Sequence, residues 1–288
     1  MAAEISRRSF LVRTAGAASV GYLLAGARPA DAFPLALPIG VQSFDLTPKL
    51  KEDLRGTLKE LAADGYQWID WLAASRTNVP EVAAMSAKEA HALFASFGLS
   101  TPNISATLDD LTTGYDKTIQ IVHDFEATSV VCTPSGAVRT LDEWKQRADQ
   151  LNAVGERTRK DGVLTGYHNG RGEFTDIDGV TPYDVLAKTD PTLVKFMFDI
   201  GTCQQAGKDP AAYLRKYPDH FFSMHAKDEK DGRLGLAVGE GNVDWKAVFT
   251  AAKAAKLRHY AVETAADAAT VMARSKQSID YLRAMPPV

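Results

Sequence analysis

Apolar residues along this chain fall into two alternating patterns. Short β-branched and aromatic runs lie at residues 38–44, 66–72, 99–105, 129–135, 163–169, 193–200, 221–228 and 259–264. Each is bounded by Gly, Pro, Asp or Asn, as strand ends are. Between them, apolar residues recur at steps of three and four. Leu50, Leu54, Leu58 and Leu61 make one stripe; Leu141, Trp144, Ala148, Leu151 and Val154 make a second. Trp245, Val248, Phe249 and Ala252 make a third, and Ile279 with Leu282 a last. One apolar stripe at that period fits a helix lying on a sheet. Thr181-Pro182 and Asp209-Pro210 add helix starts, with proline in the first turn. Eight strand–helix units in about 250 residues predict an α/β chain folded as a single-domain (β/α)8 TIM barrel. The alternative, a doubly wound open sheet, carries a Gly-rich phosphate loop after its first strand. Here the first strand runs into Phe44-Asp45-Leu46-Thr47-Pro48 instead.

Residues 1–32 stand apart from this alternation. They read Ser6-Arg7-Arg8-Ser9-Phe10-Leu11-Val12, then a weakly apolar stretch from Thr14 to Ala27, then Ala30-Asp31-Ala32 before Phe33. This resembles a twin-arginine signal peptide, with charged region, apolar region and cleavage site. The resemblance implies a periplasmic protein whose mature part is 33–288, exported folded, which favours a metal loaded beforehand. The apolar run is too short and too rich in Gly and Ala for a stable membrane anchor, which takes ~20 apolar residues.

Composition narrows the function classes. Of 288 residues, 45% are hydrophobic and 24% charged, as in ordinary soluble globular domains. Net charge is −3, and without residues 1–32 the chain carries 29 basic and 34 acidic residues. An acidic balance argues against a nucleic-acid partner, which needs a basic face. Two cysteines, Cys132 and Cys203, do not make a disulfide framework. A single disulfide and two free buried thiols are both open. So is a homo-oligomer.

A TIM barrel carries its chemistry at the C-terminal ends of its strands. The fifth strand ends Gly166-Tyr167-His168-Asn169, the sixth Phe196-Met197-Phe198-Asp199, the seventh His225-Ala226-Lys227-Asp228 and the eighth Val262-Glu263-Thr264. Side chains alternate along a strand. If Asp199 points inward, so do Met197 and Lys195, and Phe196 and Phe198 face the helices. If His225 points inward, so do Ser223 and Lys227. Asp199, His225 and Glu263 then converge from three successive strands. Two carboxylates and an imidazole suit Mn²⁺, Zn²⁺, Mg²⁺ or Co²⁺. The inward parity of the fifth strand is open, since Tyr167 and Asn169 face one way and His168 the other.

The ordered set of motifs resembles the xylose-isomerase-like TIM barrels of the sugar phosphate isomerase/epimerase superfamily. It comprises Ile39-Gly40-Val41-Gln42-Ser43-Phe44, Gly166-Tyr167-His168-Asn169 with Glu173-Phe174, Thr189-Asp190-Pro191, Val194 through Asp199, Ala206-Gly207-Lys208-Asp209-Pro210, His225-Ala226-Lys227-Asp228, Gly239-Glu240-Gly241-Asn242-Val243-Asp244-Trp245 and Val262-Glu263. These run through the whole of 33–288 in order. The resemblance implies one divalent metal held by Glu, Asp, His and Glu from successive strands. Asp199, His225 and Glu263 match the last three. The strand-5 glutamate is missing, and Tyr167 and His168 stand near its place. His168 is then either a nitrogen ligand or a second base beside Glu263.

Other residues complete the candidate site. Lys227 suits an oxyanion next to a metal, or else an ion pair with Asp228 or Glu240. Glu173 is a candidate for sugar hydroxyls or for the missing ligand, with Tyr167 and Asn169 as further substrate contacts. Trp68 and Trp245 are candidate sugar platforms, though Trp245 opens an apolar helical stripe. The glycines at 239–241 make a weak phosphate-loop candidate. The expected activity is isomerisation or epimerisation of a carbohydrate by proton transfer next to a carbonyl. A lyase or hydratase acting on a keto sugar or glycoside, and a sugar-binding barrel without catalysis, are the alternatives. An endonuclease-like phosphodiesterase would need more His ligands and a basic surface.

Overall fold

A computed structural model describes residues 33–72, 78–134 and 136–288. The twin-arginine segment, 1–32, lies outside the described residues. Eight parallel strands form the barrel: β1 (Ile39–Gln42), β2 (Trp68–Leu72), β3 (Asn103–Ala106), β4 (Ser129–Cys132), β5 (Leu164–His168), β6 (Val194–Asp199), β7 (Phe221–Ala226) and β10 (His259–Val262). Seven of the eight sit inside a run read from the sequence, and β3 extends one residue past its run, to Ala106. The ladder closes in the order β1-β10-β7-β6-β5-β4-β3-β2, and a small antiparallel pair, β8 (Asp228–Lys230) with β9 (Arg233–Leu236), follows β7. The chain is a (β/α)8 TIM barrel.

The helices follow from local chemistry. Leu50 through Leu61 reads as one stripe, yet the structure has two helices, Ser43–Glu52 and Leu54–Asp64. Asp53 breaks them: its backbone is extended, and its carboxylate accepts from Gly56 N at 2.8 Å to cap the second helix. The helix Leu141–Lys160 opens on a capping box of Thr140 and Glu143. Pro182 and Pro210 each begin a helix. Among the described residues no helix is long and apolar enough to cross a membrane.

Strand parity divides the core in two. Ile39, Val41, Ile69, Trp71, Val130, Phe196, Phe198, Tyr260 and Val262 face the helices in one large apolar cluster. Cys132 and Cys203 are both free and buried there, which decides the open question about a disulfide. Burial pushes the Cys132 thiol up to about 12. Inside the barrel, Val131, Met197 and Phe222 form a separate apolar plug, with Leu164 against it. Phe222 reaches the interior through a break in register. Phe196 pairs with Phe221 and Met197 with Ser223, so Phe222 is the extra residue of a bulge.

Glycines make room for interior rings. A Cβ on Gly166 would lie 2.9 Å from the Phe222 ring, and one on Gly40 would lie 2.2 Å from the Trp68 ring. Gly166→Ala is therefore expected to destabilise the fold by ~1–3 kcal/mol through overpacking. Phe222→Leu in the same chain should recover part of that loss, as read from urea midpoints. Equal and additive losses would show that the two residues do not share the space.

Candidate metal centre

The fifth strand settles its parity in favour of His168. Tyr167 turns outward beside Phe196, and His168 turns inward, its Nε2 3.1 Å from His225 Nδ1 and 3.8 Å from Asp199 Oδ2. His168, Asp199, His225 and Glu263 thereby form one cluster. One ligand atom from each lies within 4.8 Å of all the others. Asp199 and Glu263 come from the ends of β6 and β10, and His225 from β7.

Hydrogen bonds give the cluster its charges. His225 Nδ1 is 2.6 Å from Glu263 Oε2, and its Nε2 is 2.8 Å from Asp70 Oδ2. Burial opposes an imidazolium here, but the hydrogen bonds to Asp70 and Glu263 outweigh it and push His225 up to about 10. Both ring nitrogens then donate, so His168 Nε2 faces Nδ1–H as an acceptor. His168 is neutral accordingly: burial, then the His225 charge, pull it down to about 4. Lys227 Nζ donates to Glu263 Oε1 at 2.6 Å and to Asp199 Oδ2 at 3.2 Å. Burial disfavours that ammonium, yet Asp199 and Glu263 raise its pKa above the usual lysine range. Burial would likewise raise Glu263, but Lys227 and His225 hold its carboxyl well below the usual range.

Asp70 is the residue the sequence reading missed. It sits at the inward position of Trp68-Ile69-Asp70-Trp71-Leu72 and is fully buried. Asn103 Nδ2 donates to its other oxygen, and His259 Nε2 lies 3.1 Å from Asn103 Oδ1. Burial pulls His259 down to about 4, so it is neutral and donates from Nε2. A chain of polar groups thus crosses the barrel from His259 through Asn103 and Asp70 to His225. The available signal was a charged residue inside an otherwise apolar strand, where it must find a partner. Asp45 is the second omission. Its Oδ2 accepts from Ala265 N at 2.6 Å, and burial, then Glu263, push it up to about 6.

The remaining candidates hold the frame. Glu173 is buried and its Oε1 accepts from Tyr167 OH at 2.6 Å, so these two satisfy each other outside the cluster. Burial raises the Glu173 carboxyl, and the Tyr167 bond works against that. Asn169 bridges β5 to β6: it accepts from Asp199 N at 3.0 Å and donates to Thr202 Oγ1 at 2.9 Å. Trp68 is buried within the barrel, with its ring 4.7 Å from that of His259. Trp245 Nε1 donates to Asp228 Oδ2 at 3.0 Å, and neither indole is open to a sugar. The turn at 239–241 wraps the same carboxylate, Gly239 N donating to Asp228 Oδ2 at 2.7 Å. Asp228 is thus committed to that turn, and Lys227 pairs with Asp199 and Glu263 instead.

The donor set fits a divalent ion. A tetrahedral ion with bonds of about 2.1 Å would need its ligands about 3.4 Å apart, so the cluster, whose ligand atoms lie within 4.8 Å of one another, would have to rearrange around it. Two imidazoles and two carboxylates suit Zn²⁺, Mn²⁺ or Co²⁺. With Nε2–H of His225 held by Asp70, Nδ1 is the nitrogen that faces the other three ligands, a carboxylate–histidine arrangement common around metals.

Asp70→Asn tests that orientation. Asn103 still donates to the oxygen, which turns the new amide NH₂ toward His225 Nε2 and favours the proton on Nδ1. Metal affinity should fall about 10- to 100-fold, as read by chelator competition. In metal-free protein the sign is also fixed. His225 titrates near 10 against 6.5 unperturbed, so its stabilisation is complete below about 6.5 and lost as pH rises through about 10. Urea unfolding should show that loss in the wild type and a smaller one in Asp70→Asn. An unchanged slope would contradict the role given to Asp70.

Comparison with known proteins agrees with this fold. Residues 57–285 match the family model of the xylose isomerase-like TIM barrel. An inosose dehydratase of Clostridium tetani is 31% identical over 129 residues, 38% of this chain and 43% of that one. The match thus spans less than half of that relative's length. A sugar phosphate isomerase/epimerase structure from Parabacteroides distasonis aligns over 87% of this chain and 94% of its own, at TM-score 0.78 and 22% identity. The IOLI protein, solved with a bound zinc atom, aligns over 86% of this chain and all of its own, at TM-score 0.67 and 15% identity. These likenesses show a common fold. With its eight closed strands and the family match over most of its length, the chain belongs to the xylose isomerase-like TIM barrel family.

Proposed function

We propose that this protein is a metal-dependent lyase that removes water from a keto sugar or keto cyclitol. One observation carries the reading. Among the described residues, the mouth of the barrel pairs Glu263, as base, with a buried ammonium, Lys227, and puts a neutral imidazole, His168, where the epimerases have a second glutamate. Epimerisation moves a proton between two faces and needs two groups that hold it in turn. Elimination needs one base and a proton for the departing hydroxyl. The inosose dehydratases among the relatives support the same choice.

A divalent ion held by His168, Asp199, His225 and Glu263 would polarise the substrate carbonyl and acidify the neighbouring C–H. Glu263 takes that proton. Lys227 Nζ, whose metal-free partners are Glu263 Oε1 and Asp199 Oδ2, is the nearby cation that donates to the oxygen as it gains charge. Asp45, near 6 and beside Glu263, carries the proton that lets the hydroxyl leave as water. We also propose that the protein works in the periplasm, on the strength of Arg7-Arg8 and Ala30-Asp31-Ala32. A phosphorylated substrate would be unusual there.

The test is incubation of the metal-loaded protein with an inosose and with a 3-keto glucoside in D₂O, followed by proton NMR. The expected product has lost one water. Glu263→Gln should lower the rate by about 10²- to 10⁴-fold. An epimer labelled with deuterium at the inverted carbon, with no water lost, would replace the lyase reading by the epimerase one. Binding of the sugars without any conversion would favour a carbohydrate-binding barrel.

A further inference from the structure

Lys227 follows β7 directly and is buried, with 5% of its surface exposed. Its Nζ has two acceptors, Glu263 Oε1 and Asp199 Oδ2. Both carboxylates belong to the four-residue cluster. Their other oxygens are occupied, Glu263 Oε2 by His225 and Asp199 Oδ1 by Thr202 N at 3.0 Å. The ammonium therefore sits on the two oxygens that remain. The fold makes space for it there. A Cβ on Gly201 would lie 2.8 Å from Lys227 Cγ and 2.9 Å from the Lys227 carbonyl oxygen. Any larger residue at 201 would crowd the lysine stem.

We propose that Lys227 is the site's own competing cation. Its ammonium and a divalent ion draw on the same two carboxylates, so ion binding displaces Lys227 from Asp199 and Glu263. Metal affinity is consequently set below what the four ligands would give without it. This rests on the metal reading of the cluster. The physical ground is simple: two cations cannot share buried carboxylates at contact distance without strong repulsion. A lysine in this place makes the metal exchangeable rather than permanent. It also keeps the carboxylates paired while the metal is away, which matters because an unpaired buried charge is strongly destabilising.

The test compares the full chain with Lys227→Met and Gly201→Ala, all stripped with chelator. Calorimetric titration uses Mn²⁺ and Zn²⁺, and thermal unfolding is followed in the metal-free state. Lys227→Met should bind metal about tenfold more tightly or better, and should unfold at lower temperature without metal. Gly201→Ala keeps the charge but crowds the stem. It should move both quantities the same way, by less, and it decides the matter if Lys227→Met does not fold. Folded variants that bind metal no more tightly than the wild type would overturn the proposal while leaving the metal site standing. No ion bound by the wild type or by either variant would overturn the metal reading itself, and the proposal with it.

Discussion

Three carboxylates, Asp70, Asp199 and Glu263, lie buried at one end of the barrel, and their charge has to be balanced from within the fold. Water cannot do it at that depth, and an uncompensated buried charge costs several kcal/mol. Two cations, Lys227 and the His225 imidazolium, face the three anions. The arrangement of the strand ends follows from this requirement. His225 is wedged between Asp70 and Glu263, and Lys227 between Asp199 and Glu263. A divalent ion would supply the same two positive charges from one atom, which is why the cluster can serve either occupant.

The barrel keeps this charged layer apart from what stabilises it. Val131, Met197 and Phe222 fill the interior below, and the bulge turns the Phe222 ring inward in place of Phe221. Buried area of that kind is worth roughly 25 cal/mol per Å², while hydrogen-bonded charges contribute little net. The mouth is thus free to be built for chemistry. Tyr167 with Glu173, and Asp228 with the turn at 239–241, are polar pairs that hold loops in place without entering the cluster.

Much of this was legible in the sequence, and the residues show why. The eight strands stood out because each parallel strand is a short, almost continuous apolar run closed by turn residues. Asp199, His225, Lys227 and Glu263 could be picked because parity fixes which residues of a strand face inward. On β5 parity alone could not choose between Tyr167 and His168. The decision lies in the aromatic packing of Tyr167 against Phe196 across the helix-facing layer. Asp70, Asn103 and His259 share no motif. They come together only when the barrel closes and brings β2 and β3 opposite β7 and β10. The bulge at Phe222 is equally silent, since its extra residue is apolar like its neighbours.

The central claim is that His168, Asp199, His225 and Glu263 hold a divalent metal. Elemental analysis of the purified protein, beside an Asp199→Ala, His225→Ala double variant, tests it most directly. The account predicts about one Mn, Zn or Co ion per chain in the wild type and none in the variant. No metal in either protein after incubation with excess ions, with the wild type folded, would contradict it.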